Sequence, residues 1–297
     1  MNSRLLAIVS LVLVMTVWGG SFAVTKAAFD DLPPILLAFL RFAVASAVLL
    51  PLAWPRRRAH PIPLRAALVL GLTGVGLYYI CFNLGLVYTT VTQAVLIQSA
   101  IPALTAGLAF FVLAERLSAR AVCGIALSFA GVAVVLVVNP ADARAPHPLL
   151  GNALIVGSAV LWSLYTIYAK RLAQADTMVL TAWTAAAGTA FLAPAALVEY
   201  ALGARPTFTA SGGLSVLYLG VISSAAAYLL YNRALRSLGA SQVAAFLNLM
   251  PIVGVATAVV FLRERVVPAA IVGGLLVLAG VWLASGKARD PGVAPDS

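Results

Sequence analysis

Two prolines, Pro102 and Pro251, interrupt long apolar runs, and polar residues stand just ahead of each: Gln98 and Ser99 before the first, Asn248 before the second. A proline inside a helix removes one backbone donor and clashes with the preceding turn, so a carbonyl near position 98 or 247 loses its partner. In a membrane, uncovered backbone is tolerated where it lines a cavity or is buried in protein. Amide and hydroxyl groups beside such a kink suit an ammonium or a carboxylate ligand; the plainer use is a bond from helix to helix. Aromatic residues offer a second kind of surface. Trp18, Trp162, Tyr78, Tyr79, Tyr165, Tyr228 and Tyr231 fall within apolar runs, where they wall a cavity for an aromatic ring or, by cation–π contact, for a cation. Core packing and interfacial anchoring are the other readings of the same residues. This is chemistry of binding. No clustered nucleophile and base and no metal-ligand spacing accompanies it, and Cys81 and Cys123 give no disulfide framework, so the expectation is a protein that is not an enzyme, with no metal and no cofactor.

Charge is sparse, at 9% of residues, which gives each buried position weight. Arg41 falls about seven residues inside its apolar run, and a cation at the bilayer centre costs roughly 2.5–3.5 kcal/mol on insertion scales. Lys26 is near a run's end, where its stem lets it snorkel. A substrate carboxylate or the closing of the outer mouth is a task for either. Two further charges come as a doublet: Glu115–Arg116 recurs as Glu264–Arg265, 149 residues on. Each doublet reads most simply as a local ion pair at the membrane surface, worth about 0–1 kcal/mol; the functional reading makes it a contact that forms in one gate state and breaks in the other.

The elements that must carry these residues follow from composition. Of 297 residues, 63% are hydrophobic, with mean hydropathy +1.04, well above the roughly half that is usual in soluble domains. A membrane helix needs about 20 residues, and on that measure ten spans are predicted: 5–27, 34–54, 65–87, 91–113, 118–138, 150–170, 178–201, 213–233, 240–262 and 266–285. Net charge +10 forms no continuous basic patch, so no nucleic-acid partner is expected. Of the 19 Lys and Arg, Lys26 and Arg41 fall in or near the membrane. With both termini cytoplasmic, four others lie outside (Arg144, Arg205, Arg263, Arg265) and the remaining thirteen inside, as the positive-inside rule requires.

A shift of 149 superposes Gly71 on Gly220, Tyr79 on Tyr228, Asn83 on Asn232, Pro102 on Pro251 and Gly131 on Gly280. Nearer the start of each half a shift of 144 pairs Trp18 with Trp162 and Lys26 with Lys170. The fold class is therefore all-α integral membrane, ten helices in two five-helix repeats, residues 1–140 and 141–297. Five is odd, so the repeats are inverted, and inverted repeats place a substrate site near the midplane between halves.

Several stretches together resemble the drug/metabolite transporter superfamily, specifically its ten-span EamA-type exporters: the W-G-G-S-F of Trp18 to Phe22, the L-R-F of Leu40 to Phe42, the Y-x-x-x-N of Tyr79 to Asn83, the mid-span prolines, and the two E-R elements followed by Gly124/Gly131 and Gly273/Gly280. Within that group the chain is similar to bacterial amino-acid exporters of the YddG kind, a resemblance that implies aromatic amino acids and some toxic cations such as methyl viologen as substrates. Arg41 belongs to the shared L-R-F, and the resemblance therefore implies a structural or gating task for it rather than one in substrate specificity. The expected function is export of small metabolites, amino acids foremost, by alternating access in the bacterial inner membrane. One chain suffices for a path, with lipid and substrate as partners. Because no Asp or Glu falls in the middle of a span, facilitated transport is expected over proton exchange. The rival is an exporter of drugs or lipophilic cations, proton-coupled or not.

Overall fold

The computed structural model describes residues 3–113, 119–137, 145–172, 174–238, 243 and 246–284. Among these, all regular structure is helical: α1 (Ser3–Ala28), α2 (Pro34–Ala53), α3 (Leu64–Tyr88), α4 in two pieces (α4a, Val91–Gln98; α4b, Ile101–Leu113), α5 (Ala119–Val137), α6 (Pro148–Arg171), α7 (Thr177–Ala201), α8 (Ala210–Arg236), α9 (Leu247–Leu262) and α10 (Pro268–Ala284). Proline opens α2 and α6 in the first turn, where its missing N–H costs nothing. Thr90, Asp176 and Thr209 cap α4a, α7 and α8 by accepting backbone N–H groups from Gln93, Met178 and Val179, and Gly212.

Eight of these helices are long and apolar enough to cross a bilayer, and α9 and α10 are shorter apolar helices. The packing is reversed from that of a soluble protein. Leu13, Leu197, Val260 and Leu275 are exposed, whereas Arg41, Asn83, Gln93 and Gln98 are buried. Apolar side chains turned outward beside a polar interior suit a hydrocarbon solvent. The chain is an all-α membrane protein of two inverted five-helix repeats.

Equivalent helices of the two repeats pack against each other: α2 on α7, with a Ser46–Thr189 hydroxyl contact at 3.1 Å, and α5 on α10. Small residues make the second pair close. A Cβ built on Gly131 would stand 2.6 Å from the Gly273 carbonyl, and one on Gly280 would meet the Gly124 carbonyl and Ser128 backbone, so larger residues would force the helices apart. Around the centre, α1 packs on α8 and α9, and α3 and α4 pack on α6.

Three kinds of break in helical regularity shape the bundle. A π-helical stretch interrupts α3 at Leu72–Gly76, and its repeat equivalent interrupts α8 at Tyr218–Ala226; wide turns of this kind free carbonyls from the helical ladder. The fourth helix divides at Ser99–Ala100, where the Ala100 N–H drops back to the Ile97 carbonyl, just ahead of Pro102. The ninth has its counterpart, a 3-10 turn over Leu247–Leu249 ahead of Pro251. Finally, α9 ends on Arg263 in the left-handed region, at φ 53°. That reversal lets the Glu264 N–H reach back to the Ala258 carbonyl at 3.1 Å, a helix ending usually built with glycine.

Candidate transport site

The two tryptophans related by the repeat meet. Trp18 of α1 and Trp162 of α6 stand edge to face with ring centroids 5.2 Å apart. Tyr228 of α8 packs on both, at 5.7 and 5.4 Å, and Tyr78 of α3 lies 5.2 Å from Trp162. Edge-to-face pairs contribute about 0.5–1.5 kcal/mol each beyond burial, so this cluster fixes the centre of the molecule. The rings line a cavity of about 30 Å³. Its wall draws on both halves: Trp18, Ser21 and Thr25 from α1, Arg41 from α2, Tyr78 and Tyr79 from α3, Gln98 from α4a, Trp162 from α6, and Ser223 and Tyr228 from α8, with Leu247 and Met250 of α9 closing it.

The π-helical stretches supply its polar framework. Ser223, in the α8 stretch, accepts the Trp18 indole N–H on its carbonyl at 2.9 Å, and its hydroxyl accepts from Ser21 at 3.0 Å. Gly74, in the equivalent α3 stretch, accepts the Tyr228 hydroxyl at 2.9 Å. Arg41, 2% exposed, donates from Nε to Ser224 Oγ and from Nη2 to Ser223 Oγ, both at 3.0 Å, and its guanidinium lies 4.6 Å from the Tyr79 ring centroid. Gln98 donates to Ser158 Oγ at 2.9 Å and, at the limit of reach, to Tyr78 Oη at 3.5 Å.

Of the residues expected to bind substrate, the structure gathers Trp18, Tyr78, Tyr79, Gln98 and Trp162 on the cavity wall. Tyr165 stands behind it, packed on Trp162 and donating to Asn232 Oδ1 at 3.0 Å. Ser99 turns back to the Leu96 carbonyl, and Asn248, in the 3-10 turn, is outside the lining set. The proline breaks are present, but their polar neighbours divide between cavity and helix packing.

At the end of the bundle where α3 passes into α4, charged side chains tie helix ends together. Lys26 Nζ donates to the carbonyls of Leu86, Val87 and Thr89, which cluster at the C-terminus of α3. Its repeat mate Lys170 does the same for α8, on Leu235 and Leu238. Cations there complement the helix dipole. Glu264 corrects the sequence expectation. It is not half of a surface ion pair with Arg265: it is 5% exposed, and Arg265 is exposed. Its carboxylate accepts the N–H groups of Val91 (2.7 Å) and Thr92 (2.9 Å) and the Thr92 hydroxyl (2.8 Å). The left-handed turn at Arg263 aims it at the N-terminus of α4a, in the other repeat. Glu115 and Arg116 lie outside the described residues.

A family model for the EamA-like transporter family matches the chain twice, over residues 5–137 and 149–286. The chain belongs to the EamA-like transporter family. Among its relatives, an uncharacterized transporter of Archaeoglobus fulgidus is 33% identical over 93% of this chain and 96% of its own length. A "Probable terminal-alkyne amino-acid exporter" of Streptantibioticus cattleyicolor is 30% identical over 93% and 92%. A "Probable amino-acid metabolite efflux pump" of Salmonella typhimurium is 30% identical over 91% and 92%. A solved crystal structure shares the fold with TM-score 0.67 at 22% identity, covering 95% of this chain and 96% of that one.

For an EamA-like transporter the site has members that sequence reasoning passed over: Ser21, Thr25, Ser223 and Ser224. A run of small residues in a helix gives no sign of which face is inward. The one usable signal was the serine doublet at 223–224, which stands where the first repeat has Gly74–Val75.

Proposed function

We propose that this chain exports small metabolites, amino acids foremost, across the bacterial inner membrane by facilitated alternating access, with both termini cytoplasmic. The observation that carries the reading is the central chamber where Trp18 and Trp162 face each other between the repeats. A site shared by two inverted halves is what alternating access works on: exchanging the conformations of the halves turns a cavity opening outward into one opening inward. The amino-acid export named in two relatives supports the substrate class. Among the described residues that line the chamber none is acidic, which favours passage of solute without proton exchange. The lining rings pack on one another across the chamber, so substrate entry calls for them to part. The tie formed by Lys26 and Glu264 is then the gate on the outer face, closed here.

Counterflow of labelled phenylalanine into proteoliposomes tests this, run with and without an imposed pH gradient and repeated with Trp18→Ala. Expected is counterflow that needs no gradient and is lost in the variant. Folded protein that moves no amino acid overturns the substrate class, and flux that depends on the gradient overturns facilitation.

A further inference from the structure

Every charged side chain placed so far inside the bundle is answered by partners except one. Lys26 and Lys170 bond three and two carbonyls, and Glu264 accepts three donors. Arg41 is fully buried, on the wall of the central chamber, and among the described residues its hydrogen-bond acceptors are two neutral hydroxyls, with the Tyr79 ring 4.6 Å from the guanidinium. A guanidinium has five N–H donors and no acceptor capacity. Two of the five are used, and no carboxylate among the described residues lies within ion-pair reach of it. On the same chamber wall, the buried indole N–H of Trp162 meets no acceptor in good hydrogen-bonding geometry among the described residues. The chamber is rich in donors, carries one fixed positive charge, and lacks a counter-charge.

Repeat symmetry adds an independent observation. The gate and ring residues come in pairs, Lys26 with Lys170 and Trp18 with Trp162. Arg41 has no such mate: any shift between 144 and 149 places its equivalent within 185–190, a stretch of Ala, Gly and Thr, and Gly74–Val75 replace the two serines that receive it. A residue serving the motion common to both halves belongs in both. A residue that reads the substrate, which is present once, has no need of a partner.

We infer that Arg41 is the residue that binds the substrate's carboxylate, so the chamber admits small carboxylates, zwitterionic amino acids among them, and rejects amines and lipophilic cations. The planar guanidinium matches a carboxylate by two parallel hydrogen bonds, while in a chamber of low dielectric its charge repels a bare cation strongly. This rests on the export reading and narrows it.

The test uses the whole protein in nanodiscs, titrated calorimetrically with four probes: phenylalanine, 3-phenylpropionate, phenethylamine and phenylalanine methyl ester. Phenylalanine and 3-phenylpropionate are expected to bind, while phenethylamine and the ester bind at least roughly tenfold more weakly, the factor for losing one charged hydrogen bond. Arg41→Lys, which keeps the charge and loses the fork, should weaken phenylalanine binding by about tenfold or more, and Arg41→Gln should erase the preference for acid over ester. Equal binding of amine and acid by the unaltered protein overturns the inference whatever the variants do. Binding is read without transport. Selective carboxylate binding in protein that shows no counterflow therefore supports Arg41 and overturns the export reading alone.

Discussion

Trp18 is held in two ways at once, by its ring against Trp162, Tyr228 and Tyr231 and by its indole N–H on the Ser223 carbonyl. The two are separable. Trp18→Phe keeps an aromatic face but leaves a buried carbonyl short of its donor, at a cost of about 1–3 kcal/mol; Trp18→Ala removes both and should cost about 3–5 kcal/mol. Thermal melts of the purified protein should rank them in that order, and equal melting of Trp18→Phe and the parent would mean that the bond contributes nothing. That Trp18 and Trp162 are repeat mates was legible in the sequence; that they touch was not, because a two-fold relation sets mates opposite each other at any distance, as Lys26 and Lys170 on separate helix ends show. The setting of Arg41 was not. Its two hydroxyl partners are 182 and 183 residues away, on a π-helical stretch that no periodicity announces. Nor was the fate of Ser99 and Asn248, since a helix that breaks at proline turns its neighbours by an angle the residue types do not encode.

Glu264 joins two elements that belong to different repeats, the end of α9 and the start of α4a. Both hydrogen-bonding oxygens meet the positive end of a helix dipole, where an anion is favoured. If this contact holds the outer gate, weakening it should open the chamber. Glu264→Gln leaves shape but removes the charge, and charged hydrogen bonds of this kind contribute roughly 1.5–3 kcal/mol. Thr25, buried on the chamber wall, reports opening when replaced by cysteine in a chain whose Cys81 and Cys123 are alanine. A membrane-impermeant maleimide added outside should label Thr25→Cys about tenfold faster or more in the Glu264→Gln background. An unchanged rate would assign Glu264 to helix capping alone. The spans themselves were legible from hydropathy, and the breaks in α4 and α9 from Pro102 and Pro251. The Glu264 contact escaped because the adjacent Arg265 offered a nearer partner in sequence, and only the left-handed backbone at Arg263 turns the carboxylate away from it.

Taken whole, the sequence assigns thirteen Lys and Arg to one predicted side of the membrane and four to the other, and the proposed orientation rests on that bias. In intact cells an impermeant maleimide should modify Arg205→Cys, which is exposed on the α7–α8 connection, and spare Arg58→Cys, exposed between α2 and α3; the opposite pattern would invert the topology. The solitary charge of Arg41 bears on energetics across the whole bilayer. A membrane voltage acts on any net charge that crosses, with about 2.3 kcal/mol per elementary charge per 100 mV. Arg41 stays with the protein, so a zwitterion bound to it crosses without net charge, and only its concentration ratio sets the direction of flow. A simple carboxylate using the same guanidinium carries one negative charge outward, and an interior-negative voltage expels it. One binding residue thus gives two solutes of equal affinity different limits of accumulation.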